Sequence, residues 1–328
     1  MKSNNRNRKK NNIGRKILAI LLLVVLGILG YIFFQYNQGV KIAEENGDVA
    51  QADPEEKHEE FNGADIKNTL GKVNVLLLGI DTRGEEKART DTIMIAQYDP
   101  KNETAKLVSL MRDIYVEIPG YQNYKINTAY FLGGPELLRQ TILHNFGIDL
   151  HYYAIVDFKG FETLIDTLAP NGIEIEVEKE MSEYIDVTLY PGVQKLNGKE
   201  LLGYARFRQD AEGDFGRVRR QQKVIKTLRD ELISFNGITK LPKLVGTVQP
   251  YLDTNISRLE MMGVLKDLIL NTPEDIQTLR IPLDNSFVDS SYPHAGAVLE
   301  IDMEQNKQAL DAFLNDNNGT LTTTPAIE

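Results

Sequence analysis

The sequence predicts an α/β or α+β sandwich, with helices packed on a central sheet, behind a single transmembrane helix. Two observations carry this reading. Apolar runs of strand length alternate with helical patterns from about residue 67 to 315. Ahead of them, Ile17 to Phe34, "ILAILLLVVLGILGYIFF", is an unbroken apolar stretch of 18 residues, close to the ~20 that span a bilayer.

The N-terminal tail, 1–16, carries seven basic residues and no acid. The positive-inside rule keeps such a tail in the cytoplasm and puts the chain beyond the span, 17–36, outside the cell. A signal peptide is the rival, but its apolar core is shorter, about 7 to 15 residues, and no small-residue cleavage site comes directly after the run. Residues 37–66 are rich in acids, poor in large apolar groups and without sustained period, which reads as a solvated stalk. The tail 316–328 reads as disordered. The chain has no cysteine, so the exported domain is held by its core alone.

Within 67–315, "KVNVLLLGI" (72–80), "TIMIAQYD" (92–99), "AKLVSLM" (105–111) and "IYVEI" (114–118) are strand candidates. "GGPELLRQTILHNFG" has Pro135 in a first helical turn and Gly147 at its stop. "YYAIVDF" then reads as strand, "KGFETLIDTLA" as helix and "GIEIEV" as strand. Helices are expected near 198–207, over about 214–235 and over about 257–270, with a late strand near 276–282. Strand order is not readable from these patterns.

The charge pattern narrows function. The net charge is -10; without the seven basic residues of the tail, Lys and Arg fall from 37 to 30 against 47 acids, leaving -17. A general nucleic-acid binder needs the opposite sign. Yet "DFGRVRRQQK", Asp214 to Lys223, concentrates three arginines and a lysine. At 100° per residue, Ile225, Leu228, Leu232 and Phe235 form one stripe, and Asp214, Arg217 and Gln221 continue it toward the N-terminus. Arg219, Lys223 and Lys226 point away, as a solvated face. A long polar side chain on a core stripe is costly unless it is paired or lines a site. Arg217 could simply pair with Asp214. Arg206 and Arg208, one residue apart in "YARFRQD", point instead to an anion with several oxygens, which the guanidinium fork recognises.

A second set lies near the first strand. Asp81 ends "LLLGID", and Arg89 and Asp91 stand just before the next strand. If those strands pair, the two carboxylates meet at one sheet edge. Without a nearby His or Cys they are hard oxygen ligands suited to Mg²⁺ shared with substrate phosphates, and Mn²⁺ accepts the same donors. The alternative is loop-capping aspartates. Arg112, in "SLMRD", adds a further cation, and "KIN" (125–127) is a possible loop contributor. There is no Walker-type phosphate loop, no serine-hydrolase elbow and no metal-ligand spacing among the four histidines.

Taken in order behind one span, "LLLGID", "RTDTIMIA", "SLMRD", "KINTAYFLGG", "VDFKGF", "YARFRQD" and "DFGRVRRQQ" resemble the LytR-CpsA-Psr family over about residues 70–235. Two departures are visible: Met111 stands where the family commonly has proline, and "LAPNGIEI" replaces its usual Gly-Gly-Val. The resemblance implies an αβα sandwich with a central mixed β-sheet and an apolar pocket for a polyprenyl chain. It implies a membrane-anchored phosphotransferase of a Gram-positive type envelope. Such an enzyme moves a glycopolymer, such as wall teichoic acid or capsular polysaccharide, from undecaprenyl pyrophosphate to peptidoglycan as a phosphodiester. Carried onto this sequence, Asp81 and Asp91 would be the Mg²⁺ carboxylates, and Arg89, Arg112, Arg206, Arg208, Arg217 and Gln221 would surround the pyrophosphate. Asp81 would also be the first candidate for the proton acceptor, and Arg112, Arg206, Arg208 and Arg217 would count as catalytic. A polyprenyl-pyrophosphate hydrolase and a non-catalytic lipid-binding regulator are the rival readings.

Overall fold

The computed structural model describes residues 27, 29–45, 60–65, 71–81, 90–257, 260–261, 263–264 and 271–316. Its frame is a mixed six-stranded sheet built from β1 (Val73–Ile80), β2 (Thr90–Asp99), β3 (Thr104–Leu110), β6 (Tyr152–Asp157), β9 (Leu252–Thr254) and β10 (Ile276–Ile281). The strands lie in the order β10-β3-β2-β1-β6-β9. β1 pairs antiparallel with β2 and parallel with β6, while β3 pairs antiparallel with β2 and parallel with β10. Two short hairpins, β4 (Tyr115–Val116) with β5 (Tyr124–Lys125) and β11 (Phe287–Tyr292) with β12 (Gly296–Ile301), flank the β3 end of the sheet through Ile114, which bridges Leu299.

Each strand sends alternate residues to opposite faces, and the two faces are treated differently. Leu76, Leu78, Ile93, Ile95, Val108, Leu110, Tyr153 and Ile155 are buried in one core. That core is closed by Leu138, Ile142 and Phe146 of α2 (Ile126–Phe146) and Leu310, Phe313 and Leu314 of α7 (Met303–Asn315). Each such side chain contributes roughly 1.5–3 kcal/mol on burial. A second core joins α3 (Phe158–Leu168), α4 (Gly198–Arg206), α5 (Gly213–Ile233) and α6 (Phe235–Val248) to the hairpin of β7 (Ile173–Val177) and β8 (Gly192–Leu196). Neither core includes Val75, Leu77, Ala96 or Ala154, which the strand pairing puts on the α5 side of the sheet. They stay half-buried, while Met94, opposite Leu77 on the same face, is buried.

Several expectations change. Residues 126–132 are already helical: α2 begins at Ile126 and bends at Gly133 and Gly134, whose backbone is non-helical, ahead of Pro135. The "KIN" segment is therefore not a loop. The strand expected over 114–118 shrinks to Tyr115–Val116. α5 stops at Ile233, and α6 begins at once, capped by Ser234, which accepts from Gly237 N. The helix expected over 257–270 lies largely outside the described residues.

The N-terminal region also differs. A helix, α1 (29–45), continues past the apolar run into the expected stalk and docks on α6. Ala43 is fully buried, and Tyr36 donates to Gln249 at 2.6 Å. A Cβ at Gly39 would overlap the Lys243 carbonyl, and one at Gly246 the Tyr36 carbonyl. Residues 60–65 are docked as well: Ala64 N donates to Leu150 O at 2.9 Å, and the Phe61 ring lies 5.0 Å from that of Tyr153. Most of the apolar run itself, 17–26 and 28, lies outside the described residues, and among those described no helix is long and apolar enough to cross a membrane.

Candidate functional site

The strand pairing expected for the two aspartates is present. Ile80 is opposite both Thr90 and Asp157, so Asp81 leaves β1 at the edge where β2 enters. The register slips between Gly79, opposite Thr92, and Ile80, opposite Thr90. Asp91 is the extra residue of a β-bulge, a feature that re-aims side chains at sheet edges. Arg112 arrives there from β3, whose Leu110 pairs with Ile93, and its Nη1 donates to Asp91 Oδ1. Arg89 lies outside the described residues.

α5 brings the rest. Asp214, in its first turn, accepts from Arg217 Nη2 at 2.9 Å and stands 3.3 Å from Arg112 Nε and 4.0 Å from Arg208 Nη1. Gln221 reaches the sheet and donates to Thr92 Oγ1 at 3.0 Å. The next residue, Gln222, holds Ser109 and the Leu279 carbonyl. These bonds clamp α5 across β2, β3 and β10. Arg217 does pair with Asp214 and is only 5% exposed; its Nε, like those of Arg220 and Arg229, is buried without a hydrogen-bond partner among the described residues.

Charges alternate through the cluster. Arg112 is shared by Asp91, Asp113 and Asp214; Asp214 is shared by Arg112, Arg208 and Arg217; Asp113 also takes Lys125 at 2.7 Å. Burial works against the Arg112 charge, but Asp91 and Asp214 outweigh it and raise its proton affinity. Burial lowers that of Arg217, with Asp214 opposing and Arg112 adding to the drop. Asp113 is partly buried, yet the Lys125 and Arg112 contacts hold its pKa below the ordinary value. Arg112, Arg208, Arg217 and Lys125 thus face Asp91, Asp113 and Asp214, nearly balanced without a ligand.

Arg206 and Arg208 turn to different carboxylates. Phe207 between them is the extended C-cap of α4 and is buried. Arg206 lies 4.4 Å over the Phe158 ring and 3.7 Å from Asp186, whereas Arg208 turns to Asp214. Phe158 is next in the chain to Asp157, the partner of Ile80, so both arginines still border the same edge. Sequence reasoning missed Arg220, which is fully buried and bonded to Asp210 at 3.0 Å and to the Phe207 carbonyl at 2.7 Å. It ties α5 to the end of α4 and so fixes the direction of the Arg206–Arg208 segment. Asp113 is legible beside Arg112 in "SLMRD" and Lys125 as the first residue of "KIN", but only the structure shows that the two pair.

The departures have local reasons. Met111 N donates to Ile281 O at 3.0 Å, a bond that proline cannot make. In "LAPNGIEI", Gly172 closes a turn to Ala169 O with a left-handed φ of 80°.

Among the described residues no group of three or more His, Cys, Asp or Glu could hold a metal by itself. Two edge carboxylates remain, and a side chain of Asp91 that is 46% exposed. This suits a hard cation bound through one or two carboxylates plus a ligand's phosphates.

Comparisons place these features. Regulatory protein MsrR of Staphylococcus aureus (strain COL) is 47% identical over 288 residues, covering 88% of this chain and 85% of that protein. The polyisoprenyl-teichoic acid--peptidoglycan teichoic acid transferase TagU of Bacillus anthracis (strain CDC 684 / NRRL 3495) is 31% identical over 266 residues, 78% of this chain and 86% of that one. The solved structure of TagT bound to LI-WTA superposes with a TM-score of 0.61 at 26% identity, over 76% of this chain and 91% of that one. The LytR_cpsA_psr family model matches residues 31–310. The chain belongs to the LytR-CpsA-Psr family.

Proposed function

We propose that this protein is a membrane-anchored, extracellular phosphotransferase that moves an anionic glycopolymer from an undecaprenyl pyrophosphate carrier to peptidoglycan as a phosphodiester. The observation that carries the reading is the convergence of Arg112, Arg208 and the buried Arg217 on Asp214 at the sheet edge where Asp91 stands. Guanidinium groups recognise phosphate oxygens through their fork of donors. Arg112 and Arg208 flank the same carboxylate, so donors already converge where phosphate charge would accumulate. Arg206, Arg89 and Gln221 complete the proposed anion site. The half-buried Val75, Leu77, Ala96 and Ala154 on the α5 face of the sheet have the character needed for a polyprenyl chain. TagU's name and the TagT complex support the substrate class.

Because the cluster is nearly neutral on its own, a pyrophosphate needs added positive charge. Asp81 and Asp91 would hold Mg²⁺, or Mn²⁺, which supplies that neutralisation when bound. In the proposed step an acceptor hydroxyl attacks the sugar-bearing phosphorus. A new O–P bond forms, the bond to the lipid phosphate breaks, and Asp81 takes the hydroxyl proton. Arg112, Arg208 and Arg217 stabilise the departing phosphate, and such preorganised charge is usually the largest catalytic term.

The test is transfer in vitro from a synthetic polyprenyl-pyrophosphate saccharide to peptidoglycan oligomers, with Arg217→Ala as control. Glycan-linked product lost in the variant supports the transferase. Free phosphosaccharide alone would make the protein a hydrolase. Lipid binding without turnover would favour a regulator, a reading kept in view by the name of MsrR.

A further inference from the structure

Beside the arginine cluster the surface carries a group of rings that the proposed chemistry does not use. Tyr115 and Tyr292 stack face to face, centroids 4.6 Å apart and 15° from parallel. His294, at the β11–β12 turn, lies 6.2 Å from Tyr115, 5.6 Å from Tyr124 and 5.7 Å from Tyr292. Aromatic clusters normally close a core, but here the three tyrosines are only half-buried and His294 is exposed.

The strands bearing these rings also hold the site. Tyr115 is two residues beyond Asp113, and Tyr124 precedes Lys125, which binds Asp113 at 2.7 Å. Leu299 N of β12 donates to Asp113 O at 2.9 Å. The ring group therefore continues directly from the Arg112–Asp113 edge. Its polar rim is specific too. His294 Nε2 lies 3.1 Å from Asn123 O, which can only accept, and 3.2 Å from Tyr115 Oη. Nε2 faces the Asn123 carbonyl, and Nδ1 is left without a partner among the described residues.

We propose that Tyr115, Tyr124, Tyr292 and His294 form a platform for the uncharged sugar rings of the acceptor glycan strand, a role that rests on the transferase reading. The negative ring faces attract polarised C–H groups of a pyranose, and His294 Nδ1 meets a sugar hydroxyl, while the Tyr292 hydroxyl is held by Glu300. The charges select the acceptor over the anionic polymer. Glu300 accepts from Tyr292, and Glu117 lies one residue beyond Val116, the partner of Tyr124. These carboxylates repel a phosphate-rich chain, whereas the donor's phosphates belong with the arginines.

The experiment measures binding and turnover separately on the full chain in detergent. An N-acetylglucosamine hexamer is titrated by calorimetry against wild type, Tyr292→Leu, Tyr292→Phe and His294→Ala, with circular dichroism to check folding. The expected result is about tenfold weaker binding for Tyr292→Leu and His294→Ala and little change for Tyr292→Phe, with polyol-phosphate polymer not competing. Equal affinity in all four folded proteins, no binding by wild type, or displacement by the anionic polymer overturns the platform. Donor release and transfer are measured in parallel. Ring-dependent glycan binding with no turnover of any donor leaves the platform standing and removes the transferase; transfer with the same half-saturating acceptor concentration in all variants does the reverse.

Discussion

Arg217 donates to Asp214 at 2.9 Å and is only 5% exposed, while Arg112 and Arg208 approach the same carboxylate. Arg217→Ala should lower transfer roughly 10²- to 10³-fold, the usual loss on removing a preorganised donor. Asp214 keeps Arg112 and Arg208, so thermal unfolding should shift little. Arg217→Lys should recover almost nothing, because a single ammonium cannot serve Asp214 and a phosphate oxygen together. Full activity in the lysine variant would show that charge alone matters.

The proposed role of Asp81 and Asp91 as metal carboxylates can be tested directly. Chelation should abolish transfer, and Mg²⁺ or Mn²⁺ should restore it. Asp91→Asn should raise the half-saturating Mg²⁺ concentration about tenfold, since one of the one or two expected carboxylate ligands is lost. Undiminished turnover after exhaustive chelation would leave Asp91 as the partner of Arg112 only.

Glu136 supplies a pH-dependent element far from the chemistry. Burial alone would raise its pKa, but Arg139, the Asn62 N–H and Gln140 hold it down to about 2 from 4.5. Since the folded pKa is the lower one, the stabilisation is present above pH 4.5 and fades as pH falls toward 2. Glu136→Gln should cost about 2 kcal/mol of unfolding free energy at neutral pH. The gap between the two proteins should close in denaturant titrations near pH 2.

Gly39 and Gly246 let α1 and α6 cross with backbones in contact. Gly39→Val must push the helices apart, because its Cβ would overlap the Lys243 carbonyl and approach Thr247 N at 2.8 Å. Hydrogen exchange in 29–45 should accelerate markedly while the main unfolding midpoint stays within a few degrees. Unchanged protection in α1 would mean that the Tyr36–Gln249 bond and buried Ala43 suffice to dock it.

Much of this protein is local and therefore readable. The apolar runs at 72–80 and 92–99 are strands, helices do follow "YYAIVDF" and begin near 198, and the stripe on α5 turns Arg217 and Gln221 inward. α6 escaped because Gly237 and Pro242 are residues that ordinarily interrupt helices; here tertiary packing of Leu241 and Leu244 decides. The early start of α2 was hidden by the Gly133–Gly134 bend.

The sequence by itself determined which residues carry charge at strand and helix ends, and hence the kind of ligand the site can take. Only the tertiary structure decided how they meet. The pairing of β10 with β3, the bulge at Asp91, the parting of Arg206 from Arg208 and the gathering of rings beside Asp113 all join segments distant in the chain. Periodicity tells a residue which face it shares, but not which neighbour lies across from it. That choice is made by packing and hydrogen-bond satisfaction over the whole fold.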